Sequence, residues 1–422
     1  MSVVTVSPSA ICGTLSAPPS KSAAHRLLIA AGLGGGTVRG LQLSADMEAT
    51  LRGLRALGAA VRLEGDTAHI VPGTPPAGSV PVEVDCGESG STLRFLIPLF
   101  AARGVPARFV GQGRLPSRPL GVYADCLPAH GVTLESAGGL PLTVAGRLRG
   151  GDYALPGNVS SQFITGLLFA LPLCEEDSRL RLTTPLESAG YVDMTLDVLR
   201  QAGVQVQPLD DGWYIPGGQT FCPLDTTVEG DWSQAAFLLA AGALGGETRI
   251  TGLRPDSSQG DRAALALFRA FGADILEQDG ALLCRKAPLH GIDVNAAQIP
   301  DLVPVLAATA ALADGITHIT GAGRLRLKES DRLAAMADGL RRLGGQIEEG
   351  PDSLTITGVP RLTGGTVEGY NDHRVVMSLT MAALGAAAPV VITDAQSVAK
   401  SWPSFFEDFT CIGGTAHVVD HR

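Results

Sequence analysis

The chain has 422 residues, of which 45% are hydrophobic and 18% charged, and its formal net charge at pH 7 is −10. This composition excludes a largely disordered chain, and the length favours two or more domains. The acidic balance and the low aromatic content of 5% argue against a nucleic-acid partner, because such a partner needs basic surfaces and aromatic stacking platforms.

The N-terminal sequence MSVVTVSPSA has no basic region ahead of an apolar stretch, so no secretion signal is expected. The apolar runs at 163–171 and 237–244 are far shorter than the ~20 residues of a membrane span. Seven scattered cysteines without a C-x-x-C pair are typical of free thiols in a reducing compartment. We therefore expect no membrane partner and a cytoplasmic location.

Histidine spacing gives no sign of a metal site. No H-E-x-x-H pattern occurs, and the one pair at helical spacing, His417 and His421, lies at the end of the chain. No bound metal is expected.

One sequence pattern recurs six times in chain order: a helix-like stretch with charges on one side, a glycine, and a short strand-like segment. Successive glycines lie 69 to 73 residues apart. They are Gly58, Gly131, Gly203, Gly272, Gly344 and Gly413. Because this period fills the chain, we predict six structural repeats.

A second pattern alternates with the first and consists of a polar start followed by a strongly apolar helix. Its markers, 67 to 72 residues apart, are Ser22, Ser91, Gln162, Gln234, Asp301 and His373. These helices are apolar nearly all round and should be buried, whereas the charged helices should cover the outside. Segments rich in β-branched residues predict strands between them. The fold class is therefore α/β (α+β), and six units divide more plausibly into two domains of three than into one core.

The starts of the apolar helices carry most of the polar residues of interest. Ser, Asp and Asn at such positions are ordinary helix N-caps. Alternatively, several helix starts meeting in one cleft would bind an anion without a metal, because each start offers free N–H groups and a partial positive charge. The residues concerned are Lys21, Ser22, Arg26, Ser89, Gly90, Ser91, Arg94, Ser160, Ser161, Gln162, Asp231, Ser233, Asp301, Asn371, Asp372, His373 and Arg374. Cations placed there would need a compensating anion.

Lysine is rare in this chain, since only four of the 32 basic residues are Lys: Lys21, Lys286, Lys328 and Lys400. Three of them fall in suspected site segments. A retained Lys suggests a position that needs a compact ammonium group, although solvated surface lysines remain the alternative for each one.

Two carboxylates are candidates for proton transfer. Asp301 precedes an apolar run with few local charges, so desolvation should raise its pKa and suit it to act as a base; a helix N-cap is the alternative. Glu329 and Arg332 could form a simple helical ion pair.

Gly90 is the first residue of a buried helix. Its lack of a side chain either allows a ligand phosphate to approach the backbone or allows a turn with positive φ.

Nine short strings, in order along the whole chain, resemble the 3-phosphoshikimate 1-carboxyvinyltransferase (EPSP synthase) family of enolpyruvyl transferases. They are P-P-S-K-S-x-x-x-R (18–26), G-x-S-G-S-T-L-R (87–94), S-R-P (117–119), S-S-Q-F (160–163), S-A-G-Y (188–191), I-P-D (299–301), L-K-E-S-D-R (327–332), N-D-H-R (371–374) and A-K-S-W-P (399–403). The resemblance implies two domains, each of three βαβαββ-type repeats with buried helices and outer sheets around a central cleft. We expect domain I at 1–19 and 230–422, domain II at 20–229, and a hinge at the two crossings near Pro19 and Gly230.

The resemblance further implies that the enolpyruvyl group of phosphoenolpyruvate is transferred to the 5-hydroxyl of 3-phosphoshikimate in the shikimate pathway. It implies a monomer without a cofactor, and a target of glyphosate. The residues implied to bind 3-phosphoshikimate are Lys21, Ser22, Arg26, Ser160, Ser161, Gln162, Ser188, Asp301 and Lys328. Those implied to surround phosphoenolpyruvate are Lys21, Gly90, Arg118, Gln162, Arg332, Arg374 and Lys400. Asp301 is implied as the base for the 5-hydroxyl, and either Glu329 or Lys21 would exchange the proton at the vinyl carbon.

Three positions depart from the family pattern: Glu88 and Arg324 stand where relatives have Asn, and Ala189 stands where some have Lys. Two other functions were weighed. A UDP-N-acetylglucosamine enolpyruvyl transferase would carry a Cys in the loop that reads GQGRLPSRP here and would begin with A-K-N, and neither is present. A non-catalytic binder of anionic metabolites would need the basic cluster but neither Asp301 nor Glu329.

Overall fold

The computed structural model describes residues 2–420, so His421 lies outside the described residues. The chain divides into two compact units. Unit 1 comprises residues 1–20 and 229–422, and unit 2 comprises residues 21–228.

The chain starts in unit 1 with strands β1 (Ser2–Ser7) and β2 (Ile11–Ser16) and then enters unit 2. The helices of unit 2 are α1 (Lys21–Gly34), α2 (Ala45–Ala56), α3 (Gly90–Ala102), α4 (Gly121–Cys126), α5 (Ser161–Ala170) and α6 (Ala189–Gln201). Its strands are β3 (Gly36–Arg39), β4 (Ala60–Glu64), β5 (Thr67–Val71), β6 (Val82–Asp85), β7 (Ala107–Val110), β8 (Val132–Ser136), β9 (Leu142–Gly146), β10 (Gly151–Leu155), β11 (Ser178–Leu182), β12 (Gln207–Leu209), β13 (Gly212–Ile215) and β14 (Leu224–Thr227).

The chain then completes unit 1. The helices of this part are α7 (Trp232–Gly245), α8 (Ala263–Ala270), α9 (Val303–Ala310), α10 (Arg332–Arg342), α11 (His373–Ala383) and α12 (Phe405–Cys411). Its strands are β15 (Gly246–Thr251), β16 (Asp274–Gln278), β17 (Ala281–Arg285), β18 (Asp293–Asn295), β19 (Ile316–Thr320), β20 (Gln346–Glu349), β21 (Leu354–Thr357), β22 (Gly365–Val367), β23 (Val390–Ile392) and β24 (Thr415–Asp420).

Over residues 2–420 the strands form six four-stranded sheets, three in each unit. The sheet β6-β7-β9-β8 shows the pattern: β6 pairs parallel with β7, and β9 pairs antiparallel with both β7 and β8. In chain order this repeat reads β6, α3, β7, α4, β8, β9. The predicted α/β fold of βαβαββ repeats is confirmed.

In each unit, at least one sheet contains strands that are distant from each other in the sequence. In unit 2, β14 pairs parallel with β3, where Leu224 lies opposite Gly36. In unit 1, β2 pairs parallel with β15, and β1 lies between β23 and β24. Each unit therefore ties the first and last parts of its own chain together in its sheets.

The two helix types differ in burial as predicted. In α7 every residue from Trp232 to Leu244 is buried, whereas α10 alternates buried apolar positions with exposed arginines such as Arg341. A repeat glycine follows each outer helix, after a further 3-10 turn (Pro128–His130) in the case of α4, and all six glycines have positive φ. A residue without Cβ reaches this left-handed conformation at little cost, so the glycine that marks the repeat also ends the helix.

The two segments that connect the units pair with each other. The N–H of Ser20 donates to the carbonyl of Glu229 at 2.7 Å, and Pro19 and Gly230 form an antiparallel bridge. The N–H of Gly230 also donates to the carbonyl of Gly252 at 3.2 Å. Both segments are thus held by hydrogen bonds within unit 1.

Candidate functional site

The predicted site residues fall into two groups, one in each unit. Unit 2 holds Lys21, Ser22, Arg26, Gly90, Arg118, Ser160, Ser161, Gln162 and Ser188. Unit 1 holds Asp301, Lys328, Glu329, Arg332, Arg374 and Lys400. Each group is described by itself.

Lys21 is the first residue of α1, and its ammonium group pairs with a carboxylate of the neighbouring helix. Its Nζ lies 2.7 Å from Oδ2 of Asp46 in α2, and the two side chains are 18% and 11% exposed. Asp46 follows the N-cap residue Ser44, so the carboxylate also lies at the favourable end of the α2 dipole. The lysine is therefore held at the helix start by an anion of the protein.

Arg26 lies one turn further along α1 and is almost completely buried. Its guanidinium donates to Thr195 Oγ1 at 2.8 Å and to the carbonyls of Ser22 and Tyr191, both at 2.7 Å. It also lies over the ring of Phe95, 5.3 Å from the centroid. Burial lowers the pKa of Arg26 to about 10, which still leaves it charged at neutral pH. Two of these hydrogen bonds, to Thr195 and Tyr191, join α1 to α6.

Gly90 begins α3, and the guanidinium of Arg118 lies directly against it. A Cβ added to Gly90 would be 2.5 Å from Nη1 of Arg118, closer than real Cβ contacts. The φ angle of Gly90 is not positive; Gly87, three residues earlier, has φ of +55°. The alternative of a turn that needs positive φ at Gly90 is therefore wrong, and close approach is the reason for glycine at this position.

Hydrogen bonds to both the oxygen and the nitrogen of its amide fix the orientation of the Gln162 side chain. Its Oε1 accepts from Nη1 of Arg94 at 2.6 Å, and its Nε2 donates to Ser91 Oγ at 2.9 Å. Its backbone N–H donates to the hydroxyl of Ser160, the N-cap residue of α5. The first turns of α3 and α5 are therefore joined through this side chain.

The other serines of unit 2 lie at helix starts. Ser161 is the first residue of α5 and Ser22 is the second residue of α1. Ser188 precedes α6 with φ of +56° and is 2% exposed. Left-handed backbone is costly for a residue with Cβ and is found where the surroundings impose it, often at binding sites. Among these serines Ser188 has the most unusual geometry.

Arg332 is the centre of the group in unit 1 and is 2% exposed. Its guanidinium reaches Asp372 Oδ2 at 2.8 Å, Glu329 Oε2 at 2.8 Å and Asp301 Oδ1 at 3.0 Å. Burial alone would lower the pKa of Arg332, but these three carboxylates outweigh it and raise the pKa above its usual value. We call Arg332 with Asp301, Glu329 and Asp372 the Arg332 cluster.

Asp301 lies in a short 3-10 helix, Pro300–Leu302, that precedes α9. Besides Arg332, its carboxylate accepts from Nζ of Lys328 at 3.2 Å and lies 3.5 Å from Nη2 of Arg374. The expectation of few charges around Asp301 is wrong, because three cations surround it. The alternative role as a helix N-cap is also wrong, since the cap residues here are Ile299 and Leu302.

Glu329 lies before α10, whose N-cap is Asp331. Its ion pair with Arg332 is therefore not the helical surface pair offered as an alternative, and the arginine is buried. Lys328 precedes it at the end of the 3-10 helix Gly323–Leu327. From that same helix Arg324 donates to the carbonyl of Ala297 at 2.6 Å.

Arg374 and Lys400 complete the cations of unit 1. Arg374 donates to Ser233 Oγ at 2.8 Å and to the backbone carbonyl of Asp301 at 3.0 Å. Lys400 is 8% exposed, and its Nζ donates to the carbonyl of Asn371 at 2.6 Å. Asn371 itself has φ of +48°. This strained residue turns its carbonyl toward a cation just before α11 begins.

Each cationic group thus has its own carboxylates. The sequence led us to expect that cations at the helix starts need a bound anion, whereas in the structure Asp46 pairs with Lys21 and three acidic residues pair with Arg332. Within residues 2–420 no group of three or more His, Cys, Asp or Glu side chains is arranged to hold a metal ion. In the same described range no helix has both the length and the apolar character needed to cross a bilayer.

The sequence did not point to Asp46, which holds Lys21. Asp372 and Arg94 were named only as polar residues at helix starts, and their partners Arg332 and Gln162 were not foreseen. Asp372 is the N-cap of α11 as well as a partner of Arg332, and burial would raise its pKa, but Arg332 keeps the pKa below its usual value. The signal available in the sequence was an acidic residue, Asp372, close to a run of apolar residues.

The fold is that of the enolpyruvyl transferases. The enolpyruvyl transferase NikO from Streptomyces tendae superposes on the whole chain with a TM-score of 0.81 at 19% sequence identity, and 99% of that chain is covered. An EPSP synthase structure from Acinetobacter baumannii gives a TM-score of 0.83 at 27% identity, with both chains covered completely.

The family model for EPSP synthase (3-phosphoshikimate 1-carboxyvinyltransferase) matches residues 6–409. A 3-phosphoshikimate 1-carboxyvinyltransferase of Clostridium kluyveri is 42% identical over 98% of both chains. A second relative of that name, from Clostridioides difficile, is 39% identical over 98% of both chains. The chain therefore belongs to the EPSP synthase family, and the resemblance found in the sequence motifs is confirmed.

The first prediction concerns the buried carboxylate of the Arg332 cluster. We expect Asp372→Asn to lower the free energy of unfolding by about 3–5 kcal/mol, because it removes one partner of a buried ion pair. The matched control, Glu277→Gln, breaks the exposed pair with Arg269 and should cost at most about 1 kcal/mol. Urea unfolding measures both changes, and equal losses would contradict the account.

The carboxylate of Asp372 also predicts that the free energy of unfolding depends on pH. Folding lowers the pKa of Asp372, so the unfolded chain binds more protons near pH 4. The stability it contributes is therefore complete above the unfolded pKa of about 3.9 and is lost as the pH falls through the lower, folded pKa. In Asp372→Asn this part of the acid dependence should be absent.

Proposed function

We propose that this chain transfers the enolpyruvyl group of phosphoenolpyruvate to the 5-hydroxyl of 3-phosphoshikimate, which gives 5-O-(1-carboxyvinyl)-3-phosphoshikimate and phosphate. The observation that carries the proposal is that lysines and arginines of the sequence motifs lie at helix starts in both units. Lys21, Lys328 and Arg332 each lie next to a carboxylate, and carboxylates can exchange protons. Both substrates bear phosphate and carboxylate groups, and fixed positive donors suit them.

3-Phosphoshikimate is bound, in this proposal, by lysine, arginine and hydroxyl groups of both units. Ser160, Ser161 and Ser188 offer donors at the starts of α5 and α6. The full set is Lys21, Ser22, Arg26, Ser160, Ser161, Gln162, Ser188, Asp301 and Lys328. Hydroxyl and N–H donors at helix starts complement the phosphate, and the carboxylate of Asp301 complements a hydroxyl of the ring.

Phosphoenolpyruvate is bound, in this proposal, mainly by the planar guanidinium groups of arginines and the compact ammonium groups of lysines. Arg118 lies against Gly90, whose missing side chain leaves room for the guanidinium at the start of α3. The full set is Lys21, Gly90, Arg118, Gln162, Arg332, Arg374 and Lys400. The same cations are available to the phosphate that leaves, which stabilises the negative charge that develops as its bond breaks.

Asp301 accepts the proton of the 5-hydroxyl as its oxygen adds to C2 of phosphoenolpyruvate. Glu329, or alternatively Lys21, delivers a proton to C3 and then removes one from C3 as the phosphate leaves. Lys328, Arg332 and Arg374 hold the carboxylate of Asp301 in a fixed position. No cofactor takes part in these steps.

The two crossings between the units act as a hinge, with domain I at residues 1–19 and 230–422 and domain II at 20–229. The pairing of the two crossing segments with each other supports a hinge near Pro19 and Gly230. In this proposal the free protein is open and closes on its ligands.

We further propose a cytoplasmic monomer that binds no nucleic acid, in keeping with the net charge of −10. Size-exclusion chromatography with light scattering should give about the monomer mass, and a dimer mass would contradict this.

The function is tested by mixing the purified protein with phosphoenolpyruvate and each of two acceptors, and following phosphate by ³¹P NMR. We expect phosphate and the carboxyvinyl ether with 3-phosphoshikimate and no reaction with UDP-N-acetylglucosamine. The reverse preference would identify the rival enolpyruvyl transferase, and binding without phosphate release would identify a non-catalytic binder.

A second prediction separates chemistry from binding. Asp301→Asn and Glu329→Gln preserve shape while removing a titratable group, so kcat should fall at least about 100-fold, the usual contribution of general acid–base catalysis. Dissociation constants for both substrates should change much less. Calorimetric titration and steady-state kinetics measure the two quantities, and a parallel loss of affinity and turnover would indicate a positional role.

A third prediction concerns the space at Gly90. Gly90→Ala should fold normally, because φ is not positive there and the first atom met is the end of the flexible Arg118 side chain. Phosphoenolpyruvate should bind more weakly, and the longer phosphonate glyphosate weaker still. Melting temperature and both affinities are measured together; a lower melting temperature with an unchanged affinity ratio would remove Gly90 from the site.

A fourth prediction tests the hinge. Small-angle scattering should show a smaller radius of gyration after 3-phosphoshikimate is added. An Arg26→Met variant, which loses a proposed ligand contact, serves as the control and should stay at the ligand-free radius. An unchanged radius in the wild-type protein at saturating ligand would contradict a hinge.

A further inference from the structure

A continuous chain of hydrogen bonds links α1, α2 and α3 inside unit 2, and the proposed mechanism does not use it. His25 Nδ1 lies 2.7 Å from Thr50 Oγ1, and Thr50 Oγ1 lies 2.7 Å from Thr92 Oγ1. Thr92 Oγ1 then donates to Ser89 Oγ at 2.8 Å. All four side chains are buried, and Ser89 is the N-cap residue of α3.

The directions of these hydrogen bonds follow from counting protons. Thr92 has one hydroxyl proton, and Thr92 is the donor in its hydrogen bond to Ser89 Oγ, so this proton is not available to the other nearby acceptors, Thr50 Oγ1 at 2.7 Å and the carbonyl of Asp46 at 3.5 Å. Thr50 must therefore donate to Thr92, which leaves Thr50 without a proton for His25. Consequently His25 donates from Nδ1.

The surroundings of His25 agree with this tautomer. Its Nε2 is buried and has no hydrogen-bond partner among the described residues, and an unprotonated nitrogen there avoids a buried orphan N–H. Burial, together with the nearby charges of Lys21 and Arg26, keeps the pKa of His25 well below its usual value. The ring is therefore neutral at pH 7.

The chain of hydrogen bonds has a mechanical consequence for the candidate site. Lys21 and His25 are four residues apart on α1, and their partners Asp46 and Thr50 are four residues apart on α2, so two parallel contacts join these helices. Thr50 also reaches Thr92 in the first turn of α3, two residues after Gly90. Thr50 is the junction of the three helices.

We propose that the Nδ1–H tautomer of His25 and the hydroxyl of Thr50 are positioning groups that set the start of α3, with Gly90, relative to Lys21. The functional part of this inference rests on the proposed function. Loss of the Thr50 hydroxyl leaves the His25 N–H and the Thr92 oxygen without their partners, and the α3 start shifts to satisfy them. Phosphoenolpyruvate, which contacts Gly90 in the proposed site, is the substrate affected.

The tautomer is tested without any substrate. Long-range ¹H–¹⁵N spectra at pH 7, with the His25 signals assigned from their loss in His25→Gln, should show a protonated-type shift at Nδ1 and an unprotonated-type shift at Nε2. A protonated Nε2, alone or in an imidazolium, would overturn the deduced order of donors.

The positioning role is tested by three variants. Thr50→Val keeps the shape and removes the hydroxyl, and should raise KM for phosphoenolpyruvate about tenfold, as displacement of a binding group by a fraction of an ångström does, while kcat changes by less than about threefold. Thr50→Ser retains the hydroxyl and should restore KM. Thr380→Val is the matched control, since Thr380 is equally buried but bonds only the carbonyl of Val376 in its own helix.

The outcomes separate this inference from the proposed function. Wild-type KM in Thr50→Val, or the same rise in Thr50→Ser and Thr380→Val, would overturn the positioning role. If the wild-type protein itself does not convert the substrates, the proposed function fails, and the nitrogen shifts still decide whether the hydrogen bonds run as deduced.

Discussion

Cations held at the starts of helices are the feature on which the rest of this structure depends. An arginine that is 2% exposed is tolerated only with counter-charges, and Arg332 has three carboxylates within hydrogen-bond distance. Lys21 has one, Asp46. Because the protein supplies these anions itself, each unit folds with its cations already oriented, which is the preorganisation that electrostatic stabilisation requires.

The repeated architecture explains how so many donors come to lie at helix starts. Each βαβαββ repeat contributes one buried helix, and in several of these helices a polar N-cap residue, such as Ser89, Ser160 or Asp372, accepts from a backbone N–H of the first turn. Glycines with positive φ end the outer helices and return the chain to the sheet. The same local rules that build the fold therefore place polar groups at helix starts. Backbone strain at Ser188, before α6, and at Asn371, before α11, marks further positions fixed by their surroundings.

The fold was predictable from sequence because the repeat period and the two helix types are local properties: glycine spacing marks the helix ends, and apolar composition marks the buried helices. The motif residues could be named for the same reason. Their partners could not, since Lys21 and Asp46 are 25 residues apart, Arg332 and Asp372 are 40 apart, and Arg94 and Gln162 are 68 apart. Such contacts depend on how helices pack. The same cause made the expectation for Asp301 wrong, because its three cationic neighbours are distant in sequence, and it also hid Thr50, which reads as an ordinary helix residue.

The central claim is that one substrate, phosphoenolpyruvate, is held by cations of both units. Calorimetric titration of phosphoenolpyruvate in the presence of saturating 3-phosphoshikimate tests it most directly, with Arg118→Ala in unit 2, Lys400→Ala in unit 1 and Arg285→Ala, at an exposed surface pair, as the control. The account predicts that both site variants raise Kd at least about tenfold, the loss of a charge-assisted hydrogen bond, while the control matches the wild-type protein. Wild-type affinity in either site variant would contradict the claim.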